Sequence, residues 1–140
     1  LIGTRYRLRF AGVALVPAEQ VAYAAAVSSP VTVKPRLELL ATPSAPSVAY
    51  AGRRFSATGR YSPAGARTTG PVRVACYQRV GSAYKLKKTV TASYVTVGGV
   101  RQYKAGITLV RGTWKLRAVY ETTAAYAKTS SPSYRTISVR

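Results

Sequence analysis

Runs that alternate apolar and polar residues, cut at short intervals by glycine and proline, restrict this chain to extended structure. Arg53–Tyr61 (RRFSATGRY) sets Phe55, Ala57 and Gly59 against Arg54, Ser56 and Thr58. Val72–Val80 (VRVACYQRV) sets Val72, Val74 and Cys76 against Arg73, Ala75 and Tyr77. Tyr103–Leu109 gathers Tyr103, Ala105, Ile107 and Leu109 on one side, and Trp114–Tyr120 does the same with Trp114, Leu116, Ala118 and Tyr120. A period of two is the signature of a strand with one face in a core and one in water. Turn residues fall between the runs: Ser62-Pro63-Ala64-Gly65, Thr69-Gly70-Pro71, Gly81-Ser82, Gly98-Gly99 and Arg111-Gly112. Leu37–Leu40 and Thr136–Val139 read as a first and a last strand, the latter following Ser130-Ser131-Pro132. The expectation is an all-β, antiparallel β-sandwich, with a closed barrel as the structural alternative.

The chain also repeats itself. Gly3–Phe10 reads GTRYRLRF and Gly112–Tyr120 reads GTWKLRAVY. Each copy is followed by a Tyr-Ala pair (Tyr23-Ala24, Tyr126-Ala127), then Ser-Ser-Pro (Ser28-Ser29-Pro30, Ser130-Ser131-Pro132) and a final strand. The alignment sets Tyr6, Arg7, Leu8 and Arg9 against Trp114, Lys115, Leu116 and Arg117, with an insertion around Val13–Gln20 in the first copy. Residues 1–36 therefore read as the closing part of one module and residues 37–140 as the next, joined at Lys34-Pro35-Arg36. Alone, the closing part has bare edges and an uncovered apolar face. Neighbouring modules or other subunits are expected to complete it. Residues 5–26 have the basic start and apolar middle of a secretory leader. Pro17, Glu19 and Gln20 break the apolar part, however, and the repeat accounts for the same residues.

Composition removes most chemistries. There are 22 Lys and Arg against three acids, Glu19, Glu38 and Glu121, for a net charge of +19, and His, Asp, Asn and Met are absent. Without His or a converging pair of carboxylates, general acid–base catalysis has no agents, and the one cysteine, Cys76, has no imidazole to activate it. Cys76 shares the apolar side of its run and reads as a small core residue. Zinc and calcium sites lack their ligands. The expectation is no enzyme, no metal and no cofactor. No apolar run of 18 residues exists to span a membrane as a helix.

The Thr42-Pro43 opening, the Gly52–Gly59 strand (GRRFSATG) and Pro71-Val-Arg-Val74 resemble the immunoglobulin-like domains carried in tandem by bacterial secreted and cell-surface proteins. So do Tyr84–Thr91 (YKLKKTVT) and Gly112–Tyr120. The resemblance covers about 100 residues, 37–140, and matches residues 1–36 only to that family's closing strands. It implies an immunoglobulin-like sandwich, an extracellular or cell-surface location, and a spacer, stalk or adhesive role. Members that bind calcium do so through Asp and Asn, which this chain lacks.

What remains is surface. The outward side of the runs offers Arg73, Tyr77 and Arg79, with Lys85 and Lys87 across the Gly81 hairpin and Lys115 and Arg117 on the strand after Gly112. In the immunoglobulin-like order these strands share a sheet, giving a positive face with an exposed tyrosine. Such a face suits a cell-wall phosphate polymer, an acidic glycan or nucleic acid, because the flat guanidinium fork matches phosphate and carboxylate. The competing reading is a solvated face whose charges keep sheet edges from aggregating.

Overall fold

In the computed structural model the alternating runs become long strands of two sheets that share one core. The structure describes residues 4–10, 25–33, 38–39, 42–62, 71–121 and 126–140. The insertion at Val13–Gln20, the junction Lys34–Arg36 and the turns between Pro63 and Gly70 lie outside them.

The strands in chain order are β1 (Thr4–Tyr6), β2 (Arg9–Phe10), β3 (Ala26–Val27), β4 (Val31–Val33), β5 (Glu38–Leu39), β6 (Val48–Ala49) and β7 (Phe55–Ser62). There follow β8 (Val72–Val80), β9 (Ala83–Thr91), β10 (Ser93–Val97), β11 (Val100–Ile107), β12 (Gly112–Tyr120), β13 (Thr129–Ser130) and β14 (Arg135–Val139). One sheet has the order β10-β11-β7-β5; the other has β6-β14-β12-β8-β9, with β13 also on β12. Every pairing is antiparallel except β14 with β6. Among the described residues no strand pairing joins the two sheets, so the barrel closure is not seen.

Tight turns set the registers. Gly81-Ser82 closes β8 on β9 with Val80 opposite Ala83, and Gly98-Gly99 closes β10 on β11 with Val97 opposite Val100. Gly98 and Gly99 both have positive φ (55° and 76°), the geometry a two-residue hairpin loop needs to match strand twist. Proline governs the opening of the module. Ser44 bridges Thr58 in one sheet, and four residues later Val48 joins β14 in the other. Pro43 precedes that crossing and Pro46 lies within it, and neither can donate to a ladder. Arg135 Nε pins the crossing by donating to the Ala45 carbonyl at 2.9 Å.

The inward residues of both sheets form one cluster. Ala57, Tyr61, Tyr103, Ala105 and Ile107 meet Val72, Val74, Cys76, Trp114, Leu116, Ala118, Tyr120 and Ile137, all essentially buried. This is the sidedness the alternation predicts, and Cys76 lies within it as a free thiol. Burial pushes the thiol up to about 11, with Lys88 opposing the shift. Tyr103 lies directly across from Gly59. A Cβ at Gly59 would occupy the space of the Tyr103 ring, so the glycine lets the ring lie flat on β7. Trp114 is core, and its indole N–H donates to Val110 O at 2.9 Å.

The first copy of the repeat forms a two-part ribbon, β1 with β4 and β2 with β3. Ser28 N–H donates to Leu8 O, and Leu8 N–H donates to Ser28 Oγ, both at 3.0 Å. Ser131 makes the same reciprocal pair with Ala118, at 2.9 and 3.2 Å. These serines fix the structural equivalence of the copies: Leu8 falls with Ala118, Tyr6 with Leu116, and Val33 with Ile137. That is two residues along from the sequence alignment, which set Tyr6 against Trp114. The first serine of one Ser-Ser-Pro does the work of the second serine in the other. A slip of two preserves which face each residue takes. Burial differs sharply between the copies. Leu8 is 82% and Val33 50% exposed, whereas Ala118 and Ile137 are at 0%.

Candidate polyanion-binding face

The outward side of β8, β9 and β12 is built by the same alternation that fills the core. On β8 it carries Arg73, Ala75, Tyr77 and Arg79. On β12 it carries Lys115 and Arg117, which pair across to Tyr77 and Ala75. The β8–β9 register adds Tyr84 opposite Arg79, Leu86 opposite Tyr77 and Thr89 opposite Ala75.

The structure thus brings together five of the seven residues the sequence pointed to: Arg73, Tyr77, Arg79, Lys115 and Arg117. It places Lys85 and Lys87 elsewhere. Lys85 lies opposite Gln78, on the inward parity of β8. The register shifts at Cys76/Tyr77, and Lys87 is the extra residue there, without a partner across the ladder. Lys87 and Lys88 line a shallow concavity with Thr108, Leu109 and Trp114 at the open edge between the sheets, where Lys88 Nζ donates to Thr108 O at 3.0 Å.

Aromatic rings hold the cations of the face in place. Lys115 Nζ stands 4.2 Å from the Tyr84 ring centroid and 5.9 Å from that of Tyr134. The Arg117 guanidinium lies 5.0 Å from the Tyr134 centroid, while its Nε donates to Ser131 O at 3.1 Å and its Nη1 to Tyr134 Oη at 3.3 Å. Tyr77 meets Tyr134 edge to face at 5.7 Å. Each cation–π contact contributes about 0.5–1 kcal/mol at such exposure. More to the point, each removes rotamer freedom that a mobile cation would lose on binding. Arg79 Nε donates to Gly81 O at 3.2 Å, and the Arg73 side chain is exposed with no hydrogen bond or ion pair among the described residues. The nearby carboxylate, Glu121, is taken by Lys128 at 3.1 Å. Pairs this exposed are worth little, and this one leaves the cations of β8 and β12 uncompensated.

Tyr84 and Tyr134 are members of the face that the alternating runs alone did not name. Counting back from the Gly81-Ser82 tip puts Tyr84 opposite Arg79, so that signal was present for Tyr84. Tyr134 reaches the face from the segment before β14, which no periodicity marks. Among the described residues no three His, Cys, Asp or Glu side chains gather, and no helix is long and apolar enough to cross a membrane. Compared with protein-family models and with curated proteins, the chain matches none.

Proposed function

We propose that this chain is a non-enzymatic adhesive module of an extracellular or cell-surface bacterial protein. In this reading it is an immunoglobulin-like sandwich that holds an anionic polymer on the β8–β9–β12 face. The observation that carries the reading is the constellation of Lys115 and Arg117, steadied on Tyr84 and Tyr134, beside Arg73 and Arg79, with no free carboxylate facing them among the described residues. A net charge of +19 raises the local concentration of any polyanion and speeds its encounter. The polymer bears phosphate, sulfate or carboxylate groups at intervals, as wall phosphate polymers, acidic glycans and nucleic acids do. The test is retention on immobilised inorganic polyphosphate. The Arg73→Ala/Lys115→Ala/Arg117→Ala variant, with an unchanged circular dichroism spectrum, should elute at much lower salt. Elution at the wild-type position removes this face from the function.

A second reading, a spacer or assembly subunit, is favoured by the recurrence of the serine-pinned ribbon. The side of β1–β4 that carries Leu8 and Val33 corresponds to one that β7 and β11 cover in the second module. A neighbouring module or subunit that supplies such a layer would complete residues 1–36. Protease protection of residues 4–33 in a stable monomer of this chain argues against that completion.

A further inference from the structure

The β8–β9–β12 face does not hold all the uncompensated charge. On the other sheet, Arg54, Phe55, Ser56, Ser93, Lys104 and Gly106 line an open cleft. The β7–β11 register sets Ser56 opposite Gly106 and Thr58 opposite Lys104, so Ser56, Lys104 and Gly106 share the outward side. Gly106 shapes the cleft: the position a Cβ would take there is filled by the Arg54 guanidinium, which lies on the bare backbone of β11. Lys104 is two residues along the same face, about 7 Å away. The cations of Arg79, Arg117, Arg135, Lys88 and Lys128 each have an oxygen partner. The side chains of Arg54 and Lys104, both exposed, have none among the described residues. Two unpaired cations lining one cleft, with the Ser56 hydroxyl among its walls, offer the donors that one tetrahedral oxyanion takes. The guanidinium offers its fork, the ammonium a point charge, and the hydroxyl a further donor.

We propose that this cleft is a second anion-binding site, for a single phosphate or sulfate group. It lies on the layer opposite the β8–β9–β12 face, so one module holds two polymer strands and cross-links them. The cleft stands on its own geometry; the cross-linking also rests on the polymer reading of the first face.

The probe is inorganic tripolyphosphate, titrated into the labelled chain and followed by amide chemical shifts. Saturable shifts are expected at Ser56, Lys104 and Gly106. Arg54→Ala should weaken them about tenfold or more, the size of one charge-assisted contact. Gly106→Ala keeps every charge but displaces the guanidinium, and should weaken binding several-fold. Arg60→Ala removes one charge from the same layer outside the cleft and should leave the affinity within about twofold. No saturable shift at these amides overturns the site. So does an Arg60→Ala loss equal to that of Arg54→Ala, or wild-type binding by Gly106→Ala. Shifts at Lys115 and Arg117 are read in the same spectra, so failure of the first face is told apart from failure of the cleft. With both sites working, long-chain polyphosphate should turn the wild-type solution turbid, and Arg54→Ala/Lys104→Ala should stay clear. Equal turbidity of that variant rejects the cross-linking.

Discussion

Replacing Tyr103 by phenylalanine should stabilise this protein. Tyr103 is fully buried between β7 and β10, and its hydroxyl has no hydrogen-bond partner among the described residues. Burying an unpaired hydroxyl costs about 1–3 kcal/mol. The void left by removing one oxygen is smaller than a methyl group and costs less than about 1 kcal/mol. The net gain is about 0.5–2 kcal/mol. In urea, with a slope of roughly 2 kcal/mol per molar, a gain of 1 kcal/mol raises the midpoint by about 0.5 M. A second signature comes with pH. Burial pushes the Tyr103 phenol up to about 12 from 10.0. The folded value is the higher one, so the unfolded chain releases this proton first. The stabilising effect is complete below pH 10 and is lost as pH rises toward 12. Phenylalanine has no such proton, so the advantage of Tyr103→Phe should widen across that window. A midpoint that falls by more than about 0.5 M would refute the reasoning, since it would mean that the hydroxyl is bonded in the folded protein.

Cys76 should be inert to Ellman's reagent in the folded protein at pH 8 and react at once in denaturant, because burial holds its thiol near 11; rapid native labelling contradicts the buried placement. Ser131→Ala strands the buried Ala118 N–H and should cost about 1–3 kcal/mol in chemical denaturation, whereas Ser28→Ala, in the exposed copy, should stay within about 0.5 kcal/mol. Leu116→Ala, at the centre of the core, should cost about 2–5 kcal/mol with an unchanged denaturant slope.

The long central strands were legible because each buries one face. Arg53–Tyr61, Val72–Val80 and Trp114–Tyr120 were read within two residues of β7, β8 and β12, and glycine marked the hairpin tips. Of the Leu37–Leu40 run, Glu38–Leu39 falls among the described residues and forms β5. β6 was missed: two residues paired in parallel with β14 leave no period to read. β10 was missed too, since SYVTV lies on a sheet edge with no residue fully buried. On the candidate face, β8 and β12 were read correctly because valine and leucine declare the inward side. The run Lys85-Leu86-Lys87-Lys88 declares nothing, because long cations tolerate either side and the one apolar residue, Leu86, points outward at 54% exposure. A register read from that run alone misplaces Lys85 and Lys87, and the shift at Cys76/Tyr77 is invisible in sequence. The Arg54 cleft escaped for a different reason: it depends on a glycine whose role shows only when a neighbour's side chain is seen to fill its space.

Ionic strength directly tests the proposed engagement of phosphate groups by the positive face. The anisotropy of a fluorescent single-stranded oligonucleotide, a simple phosphate polymer, should report affinity that falls linearly with the logarithm of salt. Four contacts, at Arg73, Arg79, Lys115 and Arg117, give a slope of about −3, and replacing Arg73, Lys115 and Arg117 by alanine should flatten it by about 2. Affinity that does not change with salt, or a slope the triple replacement leaves intact, contradicts the account.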